Sequence, residues 1–246
     1  MKPIIRSAWK TVPIWLLLVA LTLPASAAGI FLEKSDDGGA AYRDRLLFLG
    51  ESTTCHLRSR GVLTGGTGTD RVLAPDSGTM MLNRRTLSAQ ITEPRSGKKM
   101  SVEEAVALRR PEILVVSFGL NGIVGFLAEK ERYTESYRVL IRGIRRASPE
   151  TAVVLQTVYP VAERPAEWKF DRTPAEINRG IETLNAWLPE IAGSEGVFLA
   201  DTASVLKGEN GYLREEFSAD GIHLTRAGYE QVLFYLQTHR IPEGEP

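Results

Sequence analysis

The chain has 246 residues, 43% hydrophobic and 24% charged, enough apolar content for a core and too much for a disordered, collagen-like or coiled-coil chain. Thirty Lys+Arg balance thirty Asp+Glu; without residues 1–27, 27 cations face 30 acids, and a net charge of −3 lacks the basic footprint of a nucleic-acid binder. The single cysteine, Cys55, excludes an internal disulfide, and no Cys cluster is present for a structural zinc.

Lys2, Arg6 and Lys10 precede an apolar run over residues 14–23, followed by Pro24-Ala25-Ser26-Ala27-Ala28. These are the three parts of a secretory signal, with cleavage expected after Ala27. The run is about half of the ~20 residues a membrane-spanning helix needs. An uncleaved anchor, lengthened by Val12 and the residues after Leu23, is the alternative; either way the domain is expected to work outside the cytoplasm. Residues 28–44, polar and Gly-containing from Glu33 to Asp44, read as a linker into one domain over residues 45–246.

Residues 46–49 (LLFL) end at Gly50 as a buried parallel strand does. Residues 113–118 (ILVVSF), 153–158 (VVLQTV) and 197–200 (VFLA) are three further runs of this kind. Residues 61–98 are less regular, with a strand expected near 71–73 or 87–91. Ser101-Val102-Glu103-Glu104 reads as a capping box opening a helix through Leu108. Helical spacing recurs over residues 133–147, 174–191 and 225–239. Strands alternating with helices predict an α/β three-layer αβα sandwich around a mostly parallel sheet of about five strands. In such a sheet, ligands bind beyond the carboxyl ends of the strands, which directs attention to the loops after Leu49, Phe118, Val158 and Ala200.

The first loop is Gly50-Glu51-Ser52-Thr53-Thr54, where Ser52 reads either as a helix cap or as a hydroxyl exposed beside free helix N–H groups. The second, Gly119-Leu120-Asn121-Gly122, offers an Asn amide or an ordinary Asn-Gly turn. Asp220-Gly221-Ile222-His223, before the terminal helix, reads as a polar cap cluster or as an imidazole with its orienting carboxylate. Gly65-Gly66-Thr67-Gly68 fits neither a phosphate loop nor a dinucleotide fingerprint. His56, one turn after Ser52, is a competing candidate for a base, but without a nearby Asp in sequence it reads as packing or surface.

Together these loops supply a nucleophile, an amide donor, a carboxylate and a base at one sheet edge. In this combination the chain resembles the SGNH/GDSL hydrolase family over about residues 46–236. The family pattern is a first-block Gly-Asp-Ser, a second-block Gly, a third-block Gly-x-Asn-Asp and a fifth-block Asp-x-x-His. The resemblance implies Ser52 as nucleophile, His223 as general base and Asp220 as triad acid. It further implies an oxyanion hole of the Ser52 N–H, Asn121 and a second-block Gly, best matched by Gly78 with Gly65, Gly66 and Gly68 as competitors. Glu51 and Gly122 depart from the pattern, each standing where the family has Asp.

The implied activity is hydrolysis of carboxylic esters through an acyl-enzyme, acting on a small-molecule or carbohydrate ester, with no metal, no organic cofactor, no nucleic acid and no obligate protein partner. Acetyl groups on carbohydrate are the favoured substrate. Lipid or lysophospholipid acyl hydrolysis, acyl transfer to a sugar, and a non-catalytic envelope-binding module on the same fold are the alternatives. Specificity is expected from the loop after Val158, where Tyr159 and Trp168 either meet substrate or anchor the loop.

Overall fold

The structure is a computed structural model and describes residues 30–242; the leader expected over residues 1–27 lies outside them. In chain order the strands are β1 (Leu46–Gly50), β2 (Val72–Leu73), β3 (Gln90–Thr92), β4 (Lys99–Ser101), β5 (Ile113–Ser117), β6 (Ala152–Gln156) and β7 (Phe198–Ala200). The helices are α1 (Gly39–Arg43), α2 (Ser52–Ser59), α3 (Val102–Arg109), α4 (Ile123–Ala128), α5 (Lys130–Ala147), α6 (Pro174–Glu195) and α7 (Arg226–Thr238). Five strands form one parallel sheet in the order β2-β1-β5-β6-β7. β3 and β4 form a separate antiparallel pair. Of the two stretches expected to hold a strand within residues 61–98, the first gives β2, which joins the main sheet; in the second, Thr86–Ser88 form a 3-10 turn and only Gln90 and Ile91 are extended, as part of β3.

Side chains alternate across each strand and so divide between two cores. Leu47, Leu49, Leu114 and Val116 pack with α3, α5 and α6 on one face; Leu46, Phe48, Ile113 and Val115 pack with Tyr42, Leu57, Tyr229 and Leu233 on the other. This double coverage explains why the strands read as unbroken apolar runs. α3 opens with the Ser101–Glu104 capping box, and α6 with a Thr173–Glu176 box and Pro174 in its first turn.

The expected linker needs correction. From Ile30 onward it is part of the folded body, because its apolar side chains have a sheet edge and a helix end to cover. Phe31 pairs with Leu199 on the β7 edge, Ser35 and Gly38 donate to carbonyls at the end of α7, and Ile30, Leu32 and Tyr42 are buried. No helix among the described residues is long and apolar enough to cross a membrane.

The sheet order reverses direction between β1 and β5, since the chain proceeds from β1 outward to β2 and then returns to build β5, β6 and β7. The carboxyl ends of β1 and β5 therefore flank a crevice of the kind that binds ligands in doubly wound sheets.

Candidate active site

β1 delivers the chain into this crevice through Gly50. A Cβ there would lie 2.5 Å from the Ser117 carbonyl oxygen and 2.1 Å from Thr54 Oγ1, so only glycine passes between β5 and the start of α2. Ser52 follows as the first residue of α2, where a helix N–H has no acceptor inside the helix. On the opposite wall, the loop before α7 is closed by pairing of Ser218 with Leu224, and Thr225 caps the helix through the Gly228 N–H. Within that loop Asp220 Oδ1 accepts the backbone N–H groups of Ile222 and His223 at 2.9 and 2.8 Å. Its Oδ2 lies 2.7 Å from His223 Nδ1, and His223 Nε2 lies 3.0 Å from Ser52 Oγ.

Burial alone would raise the Asp220 carboxyl, but the bonds from the His223 ring and from the His223 and Ile222 N–H groups outweigh it and bring it down to about 2. An ionised Asp220 accepts and cannot donate. The Nδ1 proton therefore points at Asp220, leaving the Nε2 lone pair facing the Ser52 hydroxyl. Residues 171 positions apart thus form one hydrogen-bonded chain.

Asn121 sits in the loop after β5. Tyr133 and Tyr137 of α5 donate their hydroxyls to the Phe118 carbonyl, and Tyr137 accepts the Phe118 N–H, which fixes the base of this loop. Glu51 fixes its tip: the side chain is 2% exposed, and its two oxygens accept the N–H groups of Leu120 and Asn121 at 3.0 and 2.7 Å. Burial pushes the Glu51 carboxyl up to about 7, against the pull of those N–H groups. Gly122 adopts φ +89° at the N-terminus of α4, a left-handed conformation that excludes a strain-free Asp at this position. The Asn121 amide donates to Thr79 Oγ1 at 2.8 Å and to the Met80 carbonyl at 3.1 Å, so both of its protons are engaged.

Gly78, expected from the second motif block to donate to an oxyanion, does not have its N–H to give. It is bonded at 2.9 Å to the Pro75 carbonyl in a turn. The neighbouring residues, Thr79 and Met80, are the ones that reach Asn121.

The family model for the GDSL-like lipase/acylhydrolase family matches residues 48–231, most of the chain. The protein belongs to that family. No curated protein matches it. Among solved structures it is similar to a Streptococcus pneumonia protein described as "a putative platelet activating factor", with 21% identity, a TM-score of 0.55, and coverage of 80% of this chain and 88% of that one. It is also similar to "a putative SGNH hydrolase" from Slackia heliotrinireducens, with 19% identity, a TM-score of 0.53, and coverage of 79% and 97%. Like other members of the GDSL-like family, the protein is an ester hydrolase on an α/β fold.

Tyr159 and Trp168, expected in this GDSL-like hydrolase either to meet substrate or to anchor their loop, are both held by hydrogen bonds within the protein. Tyr159 points into the core beneath the sheet, its hydroxyl accepting from Gln156 Nε2 at 2.7 Å, because the chain leaving β6 is still covered by α7. Trp168 is an anchor: its indole N–H donates to the Arg172 carbonyl at 2.7 Å and its ring packs on Phe170. His56, read from the sequence as packing or surface rather than as a base, lies at the site, stacked on His223 with ring centroids 4.0 Å apart and planes 25° apart. The available signal was its spacing, four residues after Ser52 on the same helix. No group of three or more His, Cys, Asp or Glu side chains able to hold a metal occurs among the described residues.

Proposed function

We propose that the protein is an extracytoplasmic serine esterase that removes small O-acyl groups, acetyl groups on carbohydrate above all, with Ser52 as nucleophile, His223 as general base and Asp220 as the carboxylate that orients it. His223 Nε2 takes the hydroxyl proton as Ser52 Oγ bonds to the ester carbonyl carbon, and Asp220 stabilises the imidazolium. Negative charge on the carbonyl oxygen is met by the Ser52 N–H and by Asn121, whose amide exchanges one of its bonds to Thr79 or Met80 for the oxyanion. The imidazolium returns its proton to the leaving alcohol. Water, deprotonated by His223, then releases the acid and restores Ser52.

The single observation supporting this reading is the unbroken run from Asp220 through His223 to Ser52, at 2.7 and 3.0 Å. The carbohydrate preference draws on the expected place of the domain outside the cytoplasm and on the breadth of ester substrates in the family. The cellular location draws on residues 1–27, whose basic, apolar and small-residue segments read as an export signal.

Turnover of p-nitrophenyl acetate, longer p-nitrophenyl esters and acetylated sugars tests the proposal, run with Ser52→Ala and His223→Ala. Both variants should fold, resist labelling by a serine-directed phosphonate, and lose at least about a thousandfold in kcat. Acetyl esters should be preferred to long-chain ones. Normal labelling in both variants would dispose of the mechanism, and a preference for long acyl chains would dispose of the substrate class.

A further inference from the structure

Ser52 and His56 are four residues apart and so share one face of α2, the nucleophile at the head of the helix and the second imidazole one turn along. The two bonds that hold His223, from Nδ1 to Asp220 and from Nε2 to Ser52, are made by ring nitrogens whose proton and lone pair point along the ring plane. They fix where the nitrogens point but resist tilting of the ring only weakly. The bond to Ser52 also changes partner as soon as the hydroxyl proton moves. His56 supplies what those bonds lack, a flat surface against the His223 ring at a centroid distance of 4.0 Å.

The seat of His56 is not explained by its own hydrogen bonding. Its Nδ1 is buried and has no hydrogen-bond partner among the described residues. A buried ring nitrogen without a partner is unfavourable, so the ring lies where stacking is satisfied rather than where its nitrogen is.

We propose that His56 is a positioning residue, a neutral aromatic plate that holds the tilt of His223 and stabilises the imidazolium formed during acylation and deacylation. The proposal rests on the Ser52–His223 mechanism above. A cation against an aromatic face is attracted by the ring quadrupole, and the attraction grows as water is excluded. The plate must itself be uncharged for this to work. Burial first, then the neighbouring His223 and Arg60, outweigh the opposing Asp220 and hold His56 down to about 4. It therefore remains neutral through the range in which an ordinary imidazole base cycles.

The test compares His56→Phe, which keeps a ring, with His56→Leu, which keeps cover of similar bulk without one, and with His56→Gln as a second ringless variant. Each is assayed for kcat and KM on p-nitrophenyl acetate, beside Ser52→Ala. The ringless variants should lose between about tenfold and a hundredfold in kcat, the scale of a modest misplacement of a catalytic group, with KM unchanged. His56→Phe should keep most of kcat and should melt no lower than the parent, since it removes the unpartnered nitrogen. Wild-type kcat in His56→Leu would overturn the proposal, as would equal losses in the Phe and Leu variants. If Ser52→Ala hydrolyses the ester normally, the mechanism beneath the proposal fails, an outcome distinguishable from failure of the plate alone.

Discussion

Glu51 immediately precedes the nucleophile, is sealed from water, and ties the backbone of the Asn121 loop to the start of α2. A buried carboxylate is costly unless its lone pairs are answered, and here two backbone N–H groups answer them. With its pKa raised from 4.5 to about 7, the sign of its effect on stability follows. Below pH 4.5 it is protonated in both the folded and the unfolded chain. Between 4.5 and 7 the unfolded chain releases its proton first, so stability falls as pH rises, and above 7 the loss is complete at about 3 kcal/mol. Glu51→Gln removes this dependence. Urea unfolding at pH 5 and pH 8 should show the stability of the wild type relative to the variant falling by about that amount; parallel behaviour of the two proteins would refute it. Ser52, Asn121, Asp220 and His223 were legible as residues because each is a chemically distinctive side chain placed just past a strand or before a helix. The direction of a side chain is not written in that pattern. Tyr159 turns inward, Trp168 folds back on its own loop, and the Gly78 N–H closes a turn.

At the scale of elements, long apolar runs and capped helices were readable, whereas β3 was caught only at its edge by the stretch 87–91 and β4 not at all. Three-residue strands with a single fully buried side chain between them, Ile91, carry too little alternation to register. A two-stranded pair of this size is not stable alone, and it is held by a buried charge cluster. Glu93, completely buried, accepts from Arg109 Nη1 at 3.0 Å and from the N–H groups of Ser96 and Arg95, while Arg109 also reaches Asp70. Burial opposes ionisation of Glu93, but these donors prevail and hold its carboxyl down to about 2. Its contribution is therefore present above pH 4.5 and lost as the pH falls toward 2. Glu93→Ala leaves the buried Arg109 guanidinium without its one fully buried carboxylate, with the part-exposed Asp70 remaining, and should cost about 3 kcal/mol. Replacing both, Glu93→Ala with Arg109→Met, should recover part of that in denaturant melts. The cluster lies where α3 leads into the start of β5, at the end of the sheet away from Ser52, so kcat of the folded fraction should not change. A double variant no more stable than the single one would contradict this account.

For the molecule as a whole, the polar look of residues 33–44 concealed their role, because the residues that dock are few and widely spaced. Ile30 and Leu32 bond in register with Leu199 and extend the sheet past β7, and Tyr42 inserts beside α7, its hydroxyl accepting the Ile241 N–H. Burying three such side chains is worth about 1.5–3 kcal/mol each, a sum of about 5 kcal/mol or more. The same segment also shields the outer hydrogen-bonding edge of β7, which would otherwise be open to pairing with other chains. A protein beginning at residue 28 keeps all of these contacts, and one beginning at residue 45 keeps none. For a domain of this size, 1 kcal/mol corresponds to about 2–4 °C in Tm. The shorter protein should therefore melt about 10–20 °C lower and should associate on concentration, as the bared strand pairs with its own copies. Calorimetry and light scattering on the two proteins decide the matter. Equal Tm values and equally monomeric solutions would mean that the segment is a tether after all, and that β7 by itself is an adequate edge.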